Sequence, residues 1–236
     1  MYKWYKVFWI ILKRKRALYF VLALITGAML TIYARGAFGD LASNLLAEVI
    51  GICITIFVLD FIIAFQDEKR IFKLKSLAYS QIRSLLCKAI ELIKNQYKAA
   101  SGNVLESTGL GGIDTNIAKS ICSGLNLDNE CADIYERPVN WQSHNRMFVE
   151  RFKNAIELII DNYINYLPEE LIENLEKLKG SAIFEFYRVS ASIRRIHRDQ
   201  GIKENYLTGC SQLYIELFDI LRLIERQLVD FGLPRT

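Results

Sequence analysis

Only two histidines occur in the 236 residues, His144 and His197. Neither has a second ligand three or four positions on, so a helical zinc pair is excluded. The five cysteines, Cys53, Cys87, Cys122, Cys131 and Cys210, are odd in number and show no metal-ligand spacing. That pattern fits reduced thiols better than a disulfide framework. Prolines number three, and neither proline nor glycine separates Leu59 from Ala100, so nothing there interrupts a helix. No nucleophile–base pair, catalytic carboxylate pair or dinucleotide-binding glycine pattern assembles from the spacing. His197-Arg198-Asp199 matches a fragment of the kinase catalytic loop, but the rest of that signature is missing. The sequence therefore predicts no catalytic residue, no metal and no cofactor.

What the chain does have is long apolar runs at one end. Residues 46–65 form a nearly uninterrupted apolar stretch, and twenty helical residues span roughly 30 Å, the thickness of a bilayer core. Its ionisable groups are Glu48 and Asp60. A carboxylate in hydrocarbon is costly unless it faces a partner helix, water or the interface. At about 100° per residue, Glu48, Gly51 and Thr55 share one stripe, with Asp60 about a third of a turn away. These four residues are expected to form a helix–helix seam.

A first span is expected over residues 17–34, directly after Lys13-Arg14-Lys15-Arg16. Before it, residues 1–12 mix tyrosine, tryptophan and phenylalanine with Lys3 and Lys6, a composition suited to the membrane interface. The connection over 35–45 carries one cation and one anion, whereas residues after the second span are again cation-bearing. The positive-inside rule then puts both termini in the cytoplasm. Charge partitions accordingly: residues 1–65 hold seven Lys/Arg and three Asp/Glu, a net +4, and residues 66–236 hold 23 of each. A neutral soluble part is not a generic binder of long nucleic acid.

Beyond residue 66 the pattern is helical almost throughout. Apolar residues recur every three to four positions up to Ala100, so the second span is expected to continue into the soluble part as one helix. The glycine-rich stretch 101–115 lacks the lysine and hydroxyl residue of a phosphate-binding loop and reads as a flexible surface loop. Further helices are expected over 116–124, 140–166, from Pro168 towards Arg198 with a break near Gly180, and over 204–230. Nothing reads as a strand. The prediction is an all-α protein with three parts: a basic-aromatic interfacial segment (1–16), a two-helix transmembrane hairpin (17–65) and a cytosolic helical bundle (66–236).

Two polar clusters are candidate ligand sites. Arg188, Arg194, Arg195, His197 and Arg198, with Lys203 beyond, concentrate positive charge in a neutral domain, and guanidinium groups suit bidentate phosphate contacts. Trp141, His144 and Arg146, beside Asn145, combine stacking with hydrogen bonding.

The motif Glu48-x-x-Gly51-x-x-x-Thr55-x-x-x-x-Asp60, in a second span followed by charges, resembles one found in bacterial two-span membrane proteins, some of them in antiphage loci. The arrangement is similar to the membrane effectors of type III CRISPR systems, and also to the two-span effectors of some retrons. The first resemblance implies an inner-membrane effector whose cytosolic domain binds a cyclic oligoadenylate and which alters membrane integrity; because two spans alone cannot shield Glu48 and Asp60 from lipid on every side, a homo-oligomer in the lipid bilayer is expected as well. The second implies a membrane-anchored interaction protein controlled by a protein partner, binding no free nucleotide.

Overall fold

The computed structural model describes residues 16–35, 39–105, 109–131, 139–199, 207 and 209–230, so the predicted interfacial segment lies almost wholly outside it. Seven α-helices carry the described chain: α1 (Arg16–Ala34), α2 (Gly39–Ser101), α3 (Thr115–Gly124), α4 (Trp141–Tyr163), α5 (Glu169–Lys179), α6 (Ala182–Asp199) and α7 (Ser211–Asp230). A two-residue antiparallel pairing joins β1 (Glu130–Cys131) to β2 (Val139–Asn140). The protein is all-α, as its periodicity predicts, and that pairing is the one strand element among the described residues. It is too short to leave a period-two pattern. The chain divides into two compact units, one ending at Lys73 and one beginning at Leu74.

The first unit contains α1 and the leading part of α2. The Tyr19 hydroxyl donates to Asp60 Oδ2 at 3.1 Å, and the Tyr19 ring meets Phe57 edge to face at 6.1 Å between centroids. Further along α1, Thr26 Oγ1 lies 3.9 Å from Cys53 Sγ. Partners fall in number on α2 as they rise on α1, so the two helices run antiparallel. Their outer surfaces are apolar and uncovered: Phe20, Leu24, Ile52, Ile54, Leu59 and Ile63 are each more than half exposed. Thr26, Thr31 and Thr55 return their hydroxyl protons to backbone carbonyls one turn back, each at 2.8 Å. These three hydroxyl donors are thereby satisfied within their own helices on the apolar faces. By length and composition, α2 alone among the described helices is long and apolar enough to cross a membrane. The described apolar part of α1, Tyr19–Ala34, is shorter.

The second unit is built on the remainder of α2. Its apolar stripe, including Ala78, Ile82, Leu86, Ala89 and Ile93, is buried in a single core with α3 to α7. Local chemistry sets the helix ends. Asp114 caps α3, accepting from Asn116 N at 2.9 Å and Ile117 N at 3.1 Å, and Asn140 caps α4 through Ser143 N at 2.9 Å. Pro168 is the N-cap of α5, one residue ahead of the first turn, with Glu169 and Glu170 in that turn and Lys177 and Lys179 in the last, as the helix dipole favours. Gly180 closes α5 and separates it from α6, as expected. Gly102 takes φ +74° just after α2, a conformation other residues adopt only with strain.

Most described residues of the glycine-rich stretch are exposed, as expected of a surface loop, but the stretch is anchored at two points. Leu110 and Ile113 flank its 3₁₀ turn and are fully buried, and Arg222 of α7 donates to the carbonyl of Ile113. Two apolar side chains in a run of small residues supply enough buried surface to hold it.

Candidate functional site: a groove between α2 and α4

At the heart of the second unit a buried polar quartet links four side chains. Gln96 Nε2 donates to Asn145 Oδ1 at 3.0 Å and to the Tyr187 hydroxyl at 3.2 Å, while the Tyr214 hydroxyl donates to Gln96 Oε1 at 2.9 Å. The two tyrosine hydroxyls also meet each other. All four residues are buried, and burial raises the pKa of both phenols, so they stay protonated as donors. Asn145 Nδ2 has no partner among the described residues. Burial also pushes the Cys122 thiol up to about 12, with Cys210 adding to the effect, and raises Cys210 itself. Both therefore remain thiols at neutral pH.

Alongside this core a cavity of about 510 Å³ opens between α2 and α4. The α-helical period explains its walls. Lys88, Leu92 and Asn95 recur on one stripe of α2, and His144, Phe148 and Arg151 on one stripe of α4. The floor is apolar and includes buried Phe152, which stacks with half-buried Phe148 at 5.3 Å between centroids. Lys88, Glu91 and Arg151 stand exposed at the rim. Neither Lys88 nor Arg151 has an ion pair or hydrogen bond among the described residues. Other cations on neighbouring surfaces do: Arg146 pairs with Glu150 at 3.0 Å, Lys153 with Glu185, and Arg188 with Glu185 at 2.8 Å. His144 is buried, and desolvation, reinforced by the nearby Arg151 charge, lowers its pKa, which favours neutral imidazole.

The predicted site residues separate. Arg188 lies on α6 with its guanidinium held by Glu185, whose own pKa is lowered chiefly by the hydrogen bond from Lys153. Arg194, Arg195, His197 and Arg198 occupy the last two turns of α6, and their side chains, like Lys203, lie outside the described residues. Trp141 and His144 are both buried and meet edge to face at 5.5 Å, so the tryptophan presents no open stacking surface, whereas Arg146 points to Glu150. Of these three, His144 reaches the cavity.

In the first unit, Glu48, Gly51 and Thr55, with Ile52 and Ile56, surround a shallow recess of about 360 Å³. Asp60 lies on the other face, turned to Tyr19. The four motif residues thus serve two faces of α2: three point away from α1 and one towards it.

Reading the sequence alone passes over Lys88, Glu91, Asn95 and Arg151. The available signal is the polar side chains at 88, 91 and 95, which interrupt a helix face flanked by core positions. No family model, curated protein or solved structure matches the chain. Among the described residues no group of three His, Cys, Asp or Glu side chains could hold a metal ion.

Proposed function

We propose that the chain is a bacterial inner-membrane effector in antiviral defence, with α1 and the first part of α2 as a two-pass hairpin and the helical domain in the cytoplasm. An anionic ligand bound by that domain alters membrane integrity through a homo-oligomer of hairpins. One observation carries the reading. A single helix, α2, is apolar and uncovered over its leading part and buried in a helical core over its trailing part. Such an exposed apolar surface is unstable in water and at home in lipid. The polar contacts between α1 and α2 and the internally satisfied threonine hydroxyls suit the same surroundings. Antiviral defence rests on the Glu48–Asp60 motif's resemblance, and orientation on the flanking cations.

Cys87 tests the topology, because it is exposed in the helical domain, whereas Cys210 is buried. In spheroplasts an impermeant maleimide should modify Cys87 only after the inner membrane is permeabilised. Labelling of intact spheroplasts, or release of the protein by carbonate washing, would overturn the reading.

A further inference from the structure

We infer that the cavity between α2 and α4 is a binding site for a small aromatic anion: a flat ring system carrying one phosphate or carboxylate. The volume of about 510 Å³ falls in the range of small-molecule sites. The chemistry of its wall narrows the class. Half-buried Phe148, whose ring is backed by buried Phe152, offers an aromatic face to the cavity, which favours a planar body over a flexible chain. Lys88 and Arg151 provide two cations at the rim with no ion pair or hydrogen bond among the described residues, so the charged end of the ligand lies there and the ring points inward. Glu91 stands at the same rim and offsets one of them. Two cations less one anion leave a single net positive charge, which suits a small anion bearing one charged group and offers too few phosphate contacts for a polyanion such as long nucleic acid. Asn95 and His144 place hydrogen-bonding groups beside the rings, matching a heteroaromatic edge.

This assignment deepens the reading above by giving the domain's ligand a site, and it rests on that reading only for the consequence at the membrane. The experiment is calorimetric titration of the full-length protein in lipid nanodiscs with three probes: adenosine 5′-monophosphate, 4-nitrophenyl phosphate and indole-3-acetate. Adenosine and inorganic phosphate serve as the uncharged and ring-free controls. At least one aromatic anion should bind at least tenfold more tightly than either control, and comparing the phosphate probes with the carboxylate identifies the charged group preferred. Lys88→Ala with Arg151→Ala should weaken that binding at least tenfold, as should Phe148→Ala, while Arg188→Ala should leave it unchanged. The three charged residues replaced are exposed, so these variants test recognition rather than folding. Failure of all three probes to exceed the controls, or equal affinity in the Lys88/Arg151 double variant, overturns the site. Neither result alters the Cys87 labelling pattern, so failure here and failure of the topology are told apart.

Discussion

Gly124, the last residue of α3, lies so close to the backbone of Ala100 near the end of α2 that a methyl group on it would overlap the Ala100 carbonyl oxygen. The obstacle is backbone, which cannot rotate out of the way as a side chain could. Gly124→Ala should therefore destabilise the helical domain by roughly 1–3 kcal/mol, the usual scale of overpacking. Thermal unfolding should show a fall of about 2–4 °C per kcal/mol. Gly111→Ala is the matched control, since an added Cβ there meets nothing within 4 Å. Equal midpoints for the two variants would contradict the packing.

The antiparallel pairing of α1 and α2 predicts a specific cross-link. Thr26 Oγ1 and Cys53 Sγ are 3.9 Å apart, so a Thr26→Cys thiol would lie close enough to oxidise with Cys53 after small side-chain adjustment. Copper-catalysed oxidation in membranes should give an intrachain disulfide, detected as a joined peptide pair by mass spectrometry. Formation of interchain dimers alone would refute the hairpin.

The outward recess at Gly51 predicts a different effect. An added Cβ at Gly51 meets nothing within 4 Å, so a larger residue is harmless within one chain. If a second copy packs there, Gly51→Leu separates the helices and should weaken the oligomer by about 1 kcal/mol or more, roughly a fivefold change in dissociation constant. Sedimentation in detergent reads the change, and an unaltered distribution would remove this face from the interface.

His144 sets a pH dependence whose sign follows from its burial. In the unfolded chain it titrates at its ordinary 6.5, whereas in the fold its pKa lies lower. Between the two values the unfolded state binds the proton and the folded state does not, so stability falls as pH drops below about 6.5. One such group contributes up to about 1.4 kcal/mol per pH unit. Glu185, whose folded pKa is also lowered, begins to withdraw its contribution only as pH falls towards and below the ordinary carboxylate value of 4.5. Denaturant midpoints between pH 7 and 5 should decline for the parent and decline less for His144→Gln. Parallel curves would show that folding leaves the proton affinity of the imidazole unchanged.

The features legible in the sequence are those with a local cause. Apolar spacing from Ala78 to Ile93 announces the buried stripe of α2, although the same spacing reaches back to Ile71, which is exposed, and the absence of glycine or proline after Leu59 announces the helix's continuity. The break at Gly180 and the acidic start after Pro168 are equally local. Features that depend on distant partners are not legible. Gln96 reads as one more polar residue on a helix until Asn145, Tyr187 and Tyr214 arrive from 49, 91 and 118 residues away. The Arg151 rim is similarly silent, because its significance lies in facing Lys88 across a groove formed by two helices. Trp141 misleads for the complementary reason: its ring suits a ligand or a core, and only the packing of His144 against it decides.

The Gln96 quartet makes the four positions hostages to one another in descent. Exchange Tyr214 for phenylalanine and the Gln96 carbonyl is stranded; exchange Gln96 for leucine and Asn145 and both tyrosines lose an amide partner. Each stranded buried group costs about 1–3 kcal/mol, a large share of a typical fold's stability. Drift at one position is therefore disfavoured unless a compensating change follows at the others, while surface positions diverge freely. A glutamine on the long helix, an asparagine 49 residues on, and tyrosines a further 42 and 69 residues on would remain as a watermark of common ancestry after the rest of the sequence had become unrecognisable.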